Sequence, residues 1–229
     1  MSFTHEQAKS IADRCMEKFF QTVPFAREFH TSDAFDTDYY KRHIVECVLR
    51  IEMNNKLDAD AIATIVNANE LAAKDFSYYL YDELGHGDLF MADLKALGLS
   101  KADVAATDTF FSTKLLMGYL RLMVAKHGAL PAIVWDWFLE YYGVNFNGHI
   151  TAKAALALGR EYTKGASSHL NTDATEDHAG LMFGLVKRVV KTAEEEQIAV
   201  EVLERSIELV AMYFRELHTA TMVRNDHVA

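Results

Sequence analysis

The stretch YDELGHGDLF, residues 81–90, puts Glu83 and His86 three positions apart. A helix turns about 100° per residue, so the two side chains leave its axis about 60° apart and point the same way. They fall on an apolar stripe that runs Ala72, Phe76, Tyr79, Leu80, then Phe90, Leu94, Leu97. An unpaired carboxylate on a buried face is destabilising. Gly85 and Gly87 add a further cost of about 1 kcal/mol each inside a helix. Either the segment is a helix break whose Glu and His bond one another, or it is half of a site. An E-x-x-H pair facing a bundle core has the ligand spacing of two-metal carboxylate centres. Mixed carboxylate and imidazole ligands suit Fe or Mn.

Two further segments offer the same kinds of side chain. In AIVWDWFLEYYG, Glu140 shares a helical face with Ile133 and Trp137. A core-facing carboxylate needs a partner, either an interhelical ion pair or a metal. In SSHLNTDATEDHAGLMFGLV, His169, Asp173, Glu176, Asp177 and His178 lie within ten residues. A regular helix puts His169, Asp173 and Glu176 on one face and His178 about 180° from His169. Yet His178 begins the apolar stripe Leu181, Met182, Leu185, Val189, so the core face shifts between Asp173 and His178. A π-bulge would bring His169, Asp173 and His178 to one side. The alternative is a regular helix with a solvated first half and His178 as a core histidine. His43 and Glu46 form another close pair, read as an ion-pairing couple with Glu46 a reserve ligand.

The elements that must position these residues are all helical. Apolar residues recur at three and four almost throughout, and no strand-like alternation is evident. The expected helices run from Thr4 to Thr22, with Thr4 as N-cap and Pro24 ending it, and from Asp38 to Asn54. After a turn at Asn55 to Asp58, a long helix spans Asp60 to Glu83 and continues past the glycines to Leu97. Others run from Ser100 to Lys126, from Pro131 to about Gly143, from Asn147 to Tyr162, from Ser167 to Lys191, and from Ala193 to Val223. That is a single all-α domain over residues 1–229, a bundle of about eight helices.

Composition narrows the function. A formal charge of −10 with no Lys/Arg block argues against nucleic acid. No apolar run approaches the roughly 20 residues of a membrane span. The N-terminal segment has no apolar signal core, and two cysteines, Cys15 and Cys47, make no disulfide framework. A cytoplasmic location is the simplest expectation. The apolar surplus is compatible with a homodimer.

DELGHGDLFMADLKALG is similar to the E-x-G-H…DL..LG signature of heme-oxygenase-fold proteins in the TenA-like, iron-containing redox-enzyme group. HLNTDATEDH resembles that group's H-x-x-x-D-x-x-H segment. The resemblance spans residues 83 to 178 and implies a heme-oxygenase-like domain. It implies that Glu83, His86, Glu140, His169, Asp173 and His178 match the ligands of heme-oxygenase-like di-iron oxidases and oxygenases. Two Fe per chain, or Mn, are then expected, with Glu140 and Asp173 bridging or ligating terminally. Here the spacing is H-x-x-x-D-x-x-x-x-H, and Glu176 stands where the family's second His falls, so either Glu176 or His178 is the ligand, or one metal site is weak or lost. The resemblance thus implies an oxidase or oxygenase that activates O2 on a small organic substrate. The alternatives are a metal-free TenA-like hydrolase of an aminopyrimidine-type ring and a non-catalytic domain that holds a small ligand.

Overall fold

Thr4 opens the first helix through a reciprocal cap. Its backbone N–H donates to Gln7 Oε1 at 2.8 Å, and Gln7 N–H donates to Thr4 Oγ1 at 3.2 Å. A computed structural model describes residues 3–223, apart from the side chains of residues 173–176. Its helices are α1 (His5–Thr22), α2 (Ala26–Thr31), α3 (Thr37–Ile65), α4 (Glu70–Glu83), α5 (His86–Ala96), α6 (Lys101–Ala106), α7 (Phe111–His127), α8 (Leu130–Tyr142), α9 (Gly148–Leu158), α10 (Lys164–Glu176), α11 (His178–Val189) and α12 (Ala193–Thr221). A π turn, Gly143–Asn147, joins α8 to α9, and a 3-10 turn, Arg160–Tyr162, follows α9. No strand occurs among the described residues.

The all-α class is as expected, but among the described residues twelve α-helical segments, some of them short, replace about eight. The differences have local causes. The turn expected at Asn55 to Asp58 lies inside α3, because Asn54 and Asp58 are buried and bonded to each other, and Asn54 also bonds Asp136 of α8 across the core. The chain breaks later, where Asn69 caps α4 by accepting from Ala72 N–H. The helix expected from Ser100 to Lys126 is divided, since the N–H of Phe110 and the carbonyl of Asp108 are drawn to Glu46 and Arg42 of α3. Helix α2 lies between the first two expected helices, where no helix was expected. Lys153 Nζ donates to the carbonyls of Glu28, Ser32 and Ala34 at 3.0, 3.1 and 2.9 Å, holding that short helix's C-terminal end from α9.

The centre of the molecule is α8. Eleven of its thirteen residues are buried, including Trp135, Trp137 and Phe138, and a helix apolar almost all round belongs in a core. It packs against α11, α12, α7 and α3, while α11 also packs on α4, and α10 on α5. These contacts bring the three sequence segments of interest together. No described helix is long and apolar enough to cross a membrane.

Candidate metal centre

Glu83 and His86 sit on the facing ends of two helices. Glu83 is the last residue of α4 and His86 the first of α5, with Leu84 and Gly85 between them. Gly85 has φ 104°, a left-handed conformation that side chains disfavour, and this sharp reversal is why a glycine stands there. His86 Nδ1 lies 3.0 Å from Glu83 Oε2. Both are largely shielded, with side-chain exposures of 8% and 13%.

The shift of core face between Asp173 and His178 arises neither from a π-bulge nor within a regular helix. Asp177 adopts φ 48°, ψ 49°, which ends α10 and starts α11 in a new direction. Its carboxylate accepts from Gly180 N–H and caps α11. His169 thus comes in from α10 and His178, as the first residue of α11, from another side. The π turn lies instead just beyond Glu140, where Asn145 Nδ2 donates to the Tyr141 carbonyl at 2.7 Å and relaxes the helical ladder.

Two groups of three ligand-type side chains result. One is Glu83, His86 and His169, and the other is Glu83, Glu140 and His178; within each, donor atoms lie within 4.8 Å of one another. His86 and His169 have ring centroids 4.4 Å apart. His178 Nδ1 is 3.8 Å from Glu83 Oε1 and 3.9 Å from Glu140 Oε1. Glu83 is the residue common to both groups, a position expected for Glu140 and Asp173. The side chains of Asp173 and of the reserve Glu176 lie outside the described residues. Glu46, the other reserve, is not in either group; it accepts from Arg42, Phe110 N–H and Thr113.

The donor set fits a pair of divalent metals. It combines three imidazoles and two carboxylates, the mixture that Fe and Mn accept. Glu83 Oε1 is buried and accepts no hydrogen bond from any described residue, a costly state for a carboxylate that a cation would relieve.

The surroundings hold residues that the spacing patterns did not single out for this role. Tyr79, one turn before Glu83, donates its OH to Glu140 Oε1 at 2.9 Å. Burial, followed by the charges of Glu140 and Glu83, pushes its phenol well above the usual range, so it remains a donor. Beyond it, Asn54 Nδ2 donates to Asp58 at 3.0 Å and Asp136 at 2.9 Å, and Trp135 Nε1 donates to Asn54 Oδ1. Burial pushes both carboxyls of this pair upward. The one sequence signal was the i, i+4 register of Asn54 with Asp58 and of Asp136 with Glu140, and the turn-like composition around 54–58 hid it.

A cavity of ≈ 130 Å³ opens beside the centre. Glu83, Glu140 and His169 form one part of its wall and His43, Cys47 and Arg50 of α3 another. Burial raises the Cys47 thiol, with the positive charge of Arg50 opposing it.

No family model matches the chain, and no curated protein does. Solved structures do. A domain of unknown function with a heme oxygenase-like fold from Shewanella denitrificans OS217 matches with TM-score 0.80 and 18% identity over 99% of each chain. A TenA homologue from Pseudomonas syringae pv. tomato matches with TM-score 0.75 and 11% identity, over 93% of this chain and 91% of that one. A TenA homologue from P. horikoshii OT3 matches with TM-score 0.66 and 11% identity, over 93% and 96%. The chain therefore has the heme-oxygenase-like, TenA-like fold.

Proposed function

We propose that the chain is a metal-dependent oxidase or oxygenase that holds two Fe, or Mn, and acts with O2 on a small organic substrate. The observation that carries this reading is the sharing of Glu83 between two ligand-type groups. Glu83 would bridge, His86 and His169 would complete one site, and Glu140 and His178 the other. Asp173 stays in the proposed ligand set, with Glu176 in reserve. Bound metal would supply O2 activation and the polarisation of attached oxygen atoms. The protein's own part is positioning. Tyr79 holds Glu140 in one orientation through its OH, as outer hydrogen bonds do for metal ligands. Ile51, Phe90 and Leu139 give the cavity an apolar wall that limits water beside the centre.

The test is metal content after anaerobic purification from cells supplied with iron and manganese. About two metals per chain are expected. Glu83→Ala should lose both with its helical content retained, and His169→Ala should lose one. Full occupancy in both variants, or a near-absence of metal in the wild type, would sink the reading.

One observation favours a second reading. Cys47 lies in the cavity wall with its Sγ 3.7 Å from His43 Nε2, so a TenA-like hydrolase with a thiol nucleophile has a candidate pair. Its raised thiol counts against a ready thiolate. Activity that survives chelator and vanishes in Cys47→Ser would select it.

A further inference from the structure

The cavity beside the proposed metal pair contains a cation that no carboxylate touches among the described residues. Arg42, two turns earlier on α3, has Glu46 at 2.7 Å. Arg50 has no carboxylate within ion-pair distance among the described residues. Its one hydrogen-bond partner among the described residues is Cys47 Sγ at 3.5 Å, a weak acceptor, and the Tyr213 ring lies 5.0 Å from its guanidinium carbon. A guanidinium carries five N–H donors in a planar fork that matches a carboxylate. The charge of Glu46 acts on it only from beyond contact distance, so most of its donors are left for an anionic occupant of the cavity.

The rest of the wall supports one orientation. Arg50 is the single Lys or Arg among the described residues that line the cavity. Its neighbour His43 is held neutral, since burial and the charge of Arg50 push it well below its usual range. Glu83 and Glu140 stand in the same wall and would repel an acid group presented to them. The volume, ≈ 130 Å³, is near the roughly 150 Å³ of a cavity that takes benzene. A side lobe of ≈ 50 Å³, bordered by Tyr40, Ile44 and Ile150, adjoins it.

We propose that Arg50 anchors the carboxylate of a small monocarboxylate substrate, whose body lies against Ile51, Phe90 and Leu139 and whose far end faces Glu83, Glu140 and His169. This names the substrate class of the proposed oxidase site and rests on that reading for the role of the far end. The carboxylate anchor itself needs only the cavity and Arg50.

The probes are benzoate and its neutral isostere benzamide, with binding measured by calorimetry on the full chain, both chelator-treated and loaded with Fe(II). Benzoate should bind at least about tenfold tighter than benzamide in both forms, as charge-assisted bidentate pairing predicts. Arg50→Gln should abolish the preference with iron content and helical content unchanged, and Arg50→Lys should keep part of it. If the wild type takes up no iron yet shows this Arg50-dependent preference, the anchor stands and the metal reading fails. If the preference appears only with iron and survives in Arg50→Gln, the carboxylate sits on the metal and the anchor is overturned. Equal binding of the two probes, or none at millimolar concentration, overturns it as well.

Discussion

Glu46 and Glu83 are both shielded carboxylates three residues from a histidine, and what separates them is how many protons reach each one. Glu46 accepts from Arg42 Nη2 at 2.7 Å, from Phe110 N–H at 3.0 Å and from Thr113 Oγ1 at 2.7 Å. Glu83 accepts from His86, while its Oε1 receives nothing from the described residues. The first is therefore a structural strut tying α3 to the start of α7, and the second is the candidate ligand. Glu46→Ala should cost about 3–5 kcal/mol, the range for leaving one partner of a buried ion pair uncompensated. Denaturant unfolding would measure it. Metal per folded chain should not change, and a loss of metal without a loss of stability would return Glu46 to the ligand set. Sequence spacing could not make this distinction. His43–Glu46 and Glu83–His86 read alike along the chain, and two of the three partners that satisfy Glu46 lie more than sixty positions away.

At the scale of elements, helical periodicity was legible and helix ends were less so. The all-α class, the cap at Thr4 and the apolar face of α8 follow from short-range pattern. Both readings of the segment between Asp173 and His178, the π-bulge and the regular helix, failed because a break with Asp177 in a left-handed conformation shifts the core face equally well, and it requires no glycine or proline that would mark it. The docking of α10 was also hidden, since it depends on a helix more than seventy residues away. Asp93 of α5 accepts from Gly165 N–H and Ala166 N–H, each at 2.8 Å, and so caps α10 from outside. A Cβ on Gly165 would overlap the Leu89 carbonyl. Gly165→Ala should thus push α10 away from α5 and separate His169 from His86. The expected cost is about 1–3 kcal/mol, typical of overpacking. Metal content should drop to about half of the wild-type value, because the Glu83–Glu140–His178 group does not use α10. Wild-type stability together with wild-type metal content would show that α10 can relax without moving its histidine.

For the molecule as a whole, two sets of buried groups give opposite pH dependences. His30 is buried between Ala26 and Tyr142: Nδ1–H donates to the Ala26 carbonyl at 2.6 Å, and Nε2 accepts from Tyr142 OH at 2.5 Å. Burial pushes it down to about 3, with the charge of Lys153 adding to the effect. The unfolded chain takes up a proton near pH 6.5 that the folded chain refuses until about pH 3. Stability from this group is therefore lost as pH falls through that window, with a slope approaching about 1.4 kcal/mol per unit. The Asp58–Asp136 pair acts in the other direction. Burial raises both carboxyls, Asp136 to about 7, so the folded pair keeps a proton that the unfolded chain releases near 3.8. Stability from the pair is lost as pH rises from about 4 to about 7. In the wild type the two trends overlap and partly cancel, so the variants separate them. The stability of the wild type relative to His30→Gln should fall as pH drops below 6.5. Relative to Asp58→Asn, which supplies a hydrogen-bond donor without needing a proton, it should fall as pH rises above 4. Urea unfolding of the three proteins between pH 4 and 7.5 measures both differences. A difference that stays flat across this range would mean that the group concerned keeps its ordinary ionisation inside the fold.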